Sequence, residues 1–163
     1  MAADAVIEMR RRIAAGKEYL AVLRKLGFYP DALLWAGVGG AKDPEAPMEL
    51  LIVTTWTDNV GPRPIYDLLF EAYDASATPR EIDPFIVSLF SPQTQVAKDL
   101  WGGLAAVGSE KKLREGVPVL VLGMMDYFTT PEWVIFARPS RSSAFDDARR
   151  FRAFQANIAK LAA

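Results

Sequence analysis

The chain predicts an α+β domain with a mixed sheet, and three observations carry that prediction. Long stretches with apolar residues at three-four spacing lie at both ends, over about 4–26 and about 144–161. Five short runs rich in aliphatic and aromatic residues lie between them. Those runs are in places adjacent and in places separated by helical stretches, which gives the order α-β-β-α-β-α-β-β-α. A length of 163 residues suits a single domain over 1–163, with about five strands packed against helices.

The first helix is read from Val6, Met9, Ile13, Leu20 and Leu23. Gly16 takes a slot on that stripe where an apolar residue belongs. Glycine inside a helix costs about 1 kcal/mol relative to alanine, so Gly16 predicts a close contact or a break. Gly27 suits the left-handed position after the helix, and Pro30 follows as a stop. Ala32 to Val38 reads as a buried strand. A second strand runs from Met48 to Trp56, and its continuous Leu50-Leu51-Ile52-Val53 predicts burial on both faces.

Residues 57–62 read as a loop. Pro64 then opens a second helix to about Ala75, with Ile65, Leu68, Leu69 and Ala72 on its buried side. Phe85 to Phe90 is a third strand. Ser91-Pro92 signals a helix start, and the Gly102-Gly103 pair its end, with another short helix within Leu104 to Gly116. Val117 to Leu122 and Trp133 to Arg138 are further strands, joined by a long hairpin loop over Met124 to Glu132. Ser143 with Asp146 three residues on resembles a capping box. Phe145, Ala148, Phe151, Phe154, Ile158 and Leu161 are the expected inner side of the last helix.

Composition excludes several chemistries. The chain has no His and no Cys, so it cannot build a Ser-His-Asp or Cys-His nucleophile, a thiolate or imidazole metal site, or a disulfide. The longest uncharged apolar stretches, Ala32 to Ala41 and Gly116 to Met125, are shorter than the roughly 20 residues of a membrane-spanning helix. No membrane contact is expected, and a cytoplasmic location follows as the simplest expectation.

Charge is unevenly placed. Residues 1–30 carry six basic and three acidic side chains, 31–110 four and twelve, and 111–163 nine and five. Basic ends thus flank an acidic middle. The expectation is packing of the ends on the acidic middle of the same chain or of a second copy. Nucleic-acid binding by the terminal helices, with Arg10, Arg11 and Arg12, is a third reading.

Four stretches are candidate sites. Thr54 to Arg63 clusters Thr55, Asp58, Asn59 and Arg63 between a buried strand and a helix N-terminus, a place where ligands often sit. Arg138 and Arg141, among three serines, are candidates for holding an anion, with Arg149, Arg150 and Arg152 following. Met124-Met125-Asp126-Tyr127-Phe128 is apolar for a loop and reads either as core floor or as an interaction patch.

The fourth spans the early strands: Val38-Gly39-Gly40, then Pro47-Met48-Glu49-Leu50 opening a strand, then Ile82-Asp83 before the next. In this pattern the chain resembles the nucleotidyltransferase superfamily of the polymerase-β type, over roughly Leu34 to Ser91. The resemblance implies Mg²⁺ and a nucleotide held by Glu49 and Asp83 as the second and third acids of a triad. Pro47 stands where the first acid belongs, and Gly40 offers no hydroxyl. With the triad incomplete, the leading expectation is a non-catalytic domain without cofactor, acting on a protein partner or on itself. A nucleotidyltransferase-like enzyme or its degenerate relative is the alternative.

Overall fold

Seven consecutive residues without a charge, Ala32–Val38, form the central strand β1. The computed structural model describes residues 2–39, 46–109 and 118–162. Strand β2 (Met48–Val53) runs antiparallel to β1, with Ala32 opposite Val53 and Gly37 opposite Met48. Strand β3 (Val87–Phe90) lies parallel to β2. The other side of β1 is shared between two later strands, both antiparallel to it. One is β6 (Val134–Ala137), beside the start of β1; the other is β5 (Tyr127–Thr129), beside its end. Strand β4 (Leu120–Leu122) pairs with β5 and completes a mixed sheet of six strands. The architecture is α+β.

Helices cover both faces, and the period of two along β1 divides the core between them. Leu33 and Trp35 face helices α1 (Ala2–Leu26), α3 (Pro62–Asp74) and α5 (Ala144–Ala159). Ala32, Leu34 and Ala36 face α4 (Gln95–Ser109). Leu50, Leu51, Ile52 and Val53 are fully buried, as their continuous apolar run predicts. Among the described residues no helix is long and apolar enough to cross a membrane.

Gly16 is a close contact. A Cβ there would lie 3.1 Å from the Trp35 indole nitrogen and 3.1 Å from Ile135 Cγ1. The helix therefore sits tight on the sheet, and the Trp35 N–H donates to the Arg12 carbonyl at 2.7 Å. Gly27 has φ of 106°, and its N–H and that of Phe28 return to the Arg24 and Leu23 carbonyls, closing the helix as expected.

Several boundaries differ from the sequence reading. The second strand stops at Val53, because Thr54 turns the chain and Trp56–Asn59 forms a short helix, α2, inside the expected loop. The next helix begins at Pro62, ahead of Pro64. Residues 84–86 are a 3₁₀ turn before β3, held by Asp83 accepting the Phe85 N–H at 2.9 Å. The Ser91 hydroxyl accepts from the Gln93 N–H and shapes a turn; the fourth helix begins only at Gln95, with Thr94 at its start. That helix runs through Gly102-Gly103 to Ser109. Gly103 suits its place in the helix because a Cβ there would press on Leu120 Cδ2 at 2.9 Å, where helix and strand meet, whereas a Cβ on Gly102 would meet open space. The remainder of the expected short helix, the Gly40 turn and Val117 lie outside the described residues.

The expected long hairpin loop contains a strand. Gly123 to Asp126 makes a tight turn, with the Asp126 N–H on the Gly123 carbonyl at 3.2 Å, and β5 follows at once. In the last helix, Ser143 caps the Asp146 N–H at 3.1 Å as expected. Phe145, expected inside, is 76% exposed, and Leu161 is exposed as well. The buried face runs through Asp147, Phe154 and Ile158, with Phe151 half-buried beside it. An acidic residue has taken the inner position, and the reason lies in the site it builds.

Candidate functional site

Two stretches that the sequence reading kept apart meet in one cavity. It lies where β2 ends, β1 begins and β6 ends, capped by the first turn of α5. Backbone bonds join these ends: the Asp31 N–H donates to the Val53 carbonyl at 2.8 Å, and the Arg138 N–H to the Asp31 carbonyl at 2.7 Å. The cavity measures about 250 Å³. Tyr29, Trp56 and Phe136 supply aromatic walls; Asp31, Thr54, Thr55 and Asp147 supply polar ones; Pro30, Arg138, Pro139, Ser140, Ser142 and Arg150 complete the lining. Trp56 is fixed by stacking on Phe28, with ring centroids 4.3 Å apart and planes 12° apart.

The two carboxylates are its unusual feature. Asp31 is 4% exposed and Asp147 1%. Asp147 Oδ2 accepts from the Thr55 hydroxyl and from the Asn59 amide, each at 2.6 Å, which ties α5 to α2. Its position in the first turn of α5 puts the charge at the favourable end of the helix dipole. Asp147 Oδ1 and Asp31 Oδ2 are buried and have no hydrogen-bond partner among the described residues. Burial pushes the Asp31 carboxyl above the ordinary carboxylate range; the Ser140 hydroxyl and amide oppose the shift, and the charge of Asp147 adds to it. The ion pairs among the described residues are Arg12 with Glu8 and Arg149 with Asp146, so neither buried acid has a guanidinium within pairing distance. Arg138 and Arg150 stand exposed at the cavity's edge.

Of the candidate stretches from the sequence, Thr54, Thr55, Arg138 and Arg150 line this cavity, and Asn59 supports it through Asp147. Asp58 is exposed and accepts the Ser91 hydroxyl at 2.7 Å. Arg63, in the first turn of α3, and Arg141 are exposed and are not part of the lining. Asp31, Asp147 and Tyr29 lie outside the candidate stretches of the sequence. Asp147 had a readable signal: it stands four residues before Phe151, seven before Phe154 and eleven before Ile158, an acid on the apolar face of a helix.

Glu49 and Asp83 stand elsewhere. Glu49 Oε1 accepts the Ser88 hydroxyl at 2.7 Å and the Tyr127 hydroxyl at 2.9 Å. Burial pushes the Tyr127 phenol up to about 12, and the bond it gives Glu49 adds to the shift. Asp83 caps the 3₁₀ turn through Phe85. Each carboxylate thus binds a neighbour within the fold. Among the described residues, no group of three or more His, Cys, Asp or Glu side chains is placed to hold a metal ion.

Comparison with protein-family models, with curated proteins and with solved structures finds no match for this chain. The chemistry of the cavity is the remaining guide to function.

Proposed function

We propose that the protein is a binding domain without chemistry of its own, and that its ligand sits in the Asp31–Asp147 cavity. One observation carries this reading: two carboxylates more than nine-tenths buried line the same cavity, each with an oxygen that no group among the described residues satisfies. Leaving a buried acceptor unpaired costs about 1–3 kcal/mol, and more for a charged one, so a fold keeps such groups where something else completes them. Thermal unfolding of the full chain against a panel of small cations, anions and neutral polar molecules tests it. At least one class is expected to raise the melting temperature of the native chain but not of the Asp31→Asn, Asp147→Asn double variant. Equal response of the two proteins to every class rejects the reading. Titration with Mg²⁺ and nucleotides in the same format tests the nucleotidyltransferase-like alternative through Glu49→Gln. A cytoplasmic location belongs to the proposal and is supported by the absence of cysteine.

Self-association is a second reading, favoured by the β4–β5 hairpin. Met124 and Met125 are 86% and 67% exposed at its tip, with Val121 exposed on the outer strand beside them. Both methionines have positive φ, 55° and 76°. A side-chain-bearing residue held there costs about 1–2 kcal/mol, and a tight turn of this kind favours Asn-Gly. Exposed apolar residues kept in a strained turn suit contact with a second copy. Light scattering after size exclusion, at low and high salt, is expected to show a dimer or larger species. A monomer under both conditions at high concentration rejects it.

A further inference from the structure

The cavity's chemistry selects among ligands, and this inference rests on the binding reading above. Asp31 and Asp147 line the same cavity, each carries a buried oxygen without a donor among the described residues, and the charge of Asp147 bears on Asp31. A buried pair of acids without a counter-charge is costly, and a cation rich in N–H donors removes both the unpaired acceptors and the repulsion. An anion seated there makes both worse. Trp56 and Tyr29 are among the walls, and aromatic rings attract cations. Toward solvent the sign reverses: Arg138 and Arg150 are exposed, and neither is in an ion pair with a described residue. Charge therefore changes from negative at depth to positive at the mouth. The volume, about 250 Å³, lies below the roughly 300–1,000 Å³ of sites for drug-sized molecules.

From this geometry we infer that the cavity takes a small zwitterion, its ammonium or guanidinium group between Asp31 and Asp147 and its carboxylate on Arg138 and Arg150. Calorimetry on the full chain tests it with a ladder of ω-amino acids from glycine to 5-aminopentanoate, together with 4-guanidinobutyrate, butylamine and butyrate. One zwitterion of matching length is expected to bind about tenfold or more tighter than butylamine, and butyrate not at all. Arg138→Ala with Arg150→Ala, both exposed positions, is expected to bring the zwitterion down to the butylamine level and not to weaken butylamine, whose ammonium loses two like charges nearby. Asp31→Asn with Asp147→Asn is expected to abolish binding of both. Butyrate binding as well as the zwitterions, or zwitterion binding indifferent to the two asparagine substitutions, overturns the assignment. Binding of only a neutral or anionic molecule from the wider panel, lost in the asparagine double variant, overturns the zwitterion and keeps the binding domain. No binding by any class at about 10 mM overturns both.

Discussion

The two ends of the sheet break opposite rules. At one end, Asp31 and Asp147 are buried polar groups with unsatisfied oxygens; at the other, Met124 and Met125 are large apolar groups in solvent on strained backbone. Between them β1 and the Leu50 to Val53 run of β2 are buried on both faces, as their apolar sequence predicts. A sequence under no demand beyond folding has little reason to keep either defect. The first lowers stability through an unpaired buried acceptor and the second through dihedral strain. Defects of different physical origin, placed apart, are the reason the two proposed contacts, a small polar ligand and an apolar surface, can be tested separately.

The largest expected effect tests whether the hairpin end is built as firmly as the cavity end. A Cβ on Gly37 in β1 would overlap the Phe128 ring of β5, which covers that glycine. Gly37→Ala is expected to cost about 3 kcal/mol, measured by urea unfolding, as Phe128 is forced out of its seat. A cost near zero means that β5 is only loosely held. Next, Asp147→Ala strips the acceptor from the Thr55 hydroxyl and the Asn59 amide. It is expected to cost about 2 kcal/mol, whereas Asp147→Asn, which keeps an acceptor oxygen, costs less. Equal losses in the two would mean that the hydrogen bonds to Thr55 and Asn59 are not what α5 depends on.

A gain is expected at the other end. Met124→Asn with Met125→Gly relieves the positive φ at both positions and is expected to raise stability by about 1–2 kcal/mol. The same double variant is expected to shift any assembled species toward monomer. Stabilisation without loss of assembly moves the contact elsewhere.

The smallest effect concerns pH. The Asp31 carboxyl sits above its ordinary range, so over that interval the folded chain holds a proton that the unfolded chain releases. This contribution to stability is present at acid pH and is lost as pH rises from the unfolded carboxylate value through the raised folded one. The groups around it are Asp147 and Arg150 from α5, and Arg138 and Ser140 after β6. Unfolding free energy followed from about pH 4 to 7 is expected to decline less in Asp31→Asn than in the native chain. Parallel curves would place Asp31 in contact with solvent.

Much of the fold is legible along the chain because it follows local periodicity. The Val6 to Leu23 stripe, the uncharged Ala32 to Val38 run, and the Ile65, Leu68, Leu69, Ala72 face need no knowledge of their neighbours. The hairpin was harder to read. Tyr127-Phe128-Thr129 is a three-residue strand that exists because β1 offers an open edge and Gly37 a seat for Phe128. Gly102-Gly103 reads as a stop until Leu120 is seen pressed against the helix.

Residue types and their order along the chain therefore determined the helices, the buried strands and the absence of imidazole and thiol chemistry. Tertiary structure decided which strand completes the far edge and which polar groups converge. Asp31 and Asp147 are 116 positions apart in the numbering, and only the closing of α5 over the ends of β1, β2 and β6 sets one charge near the other. Charge and burial become chemistry through distance, and distance between remote residues is a property of the folded chain alone.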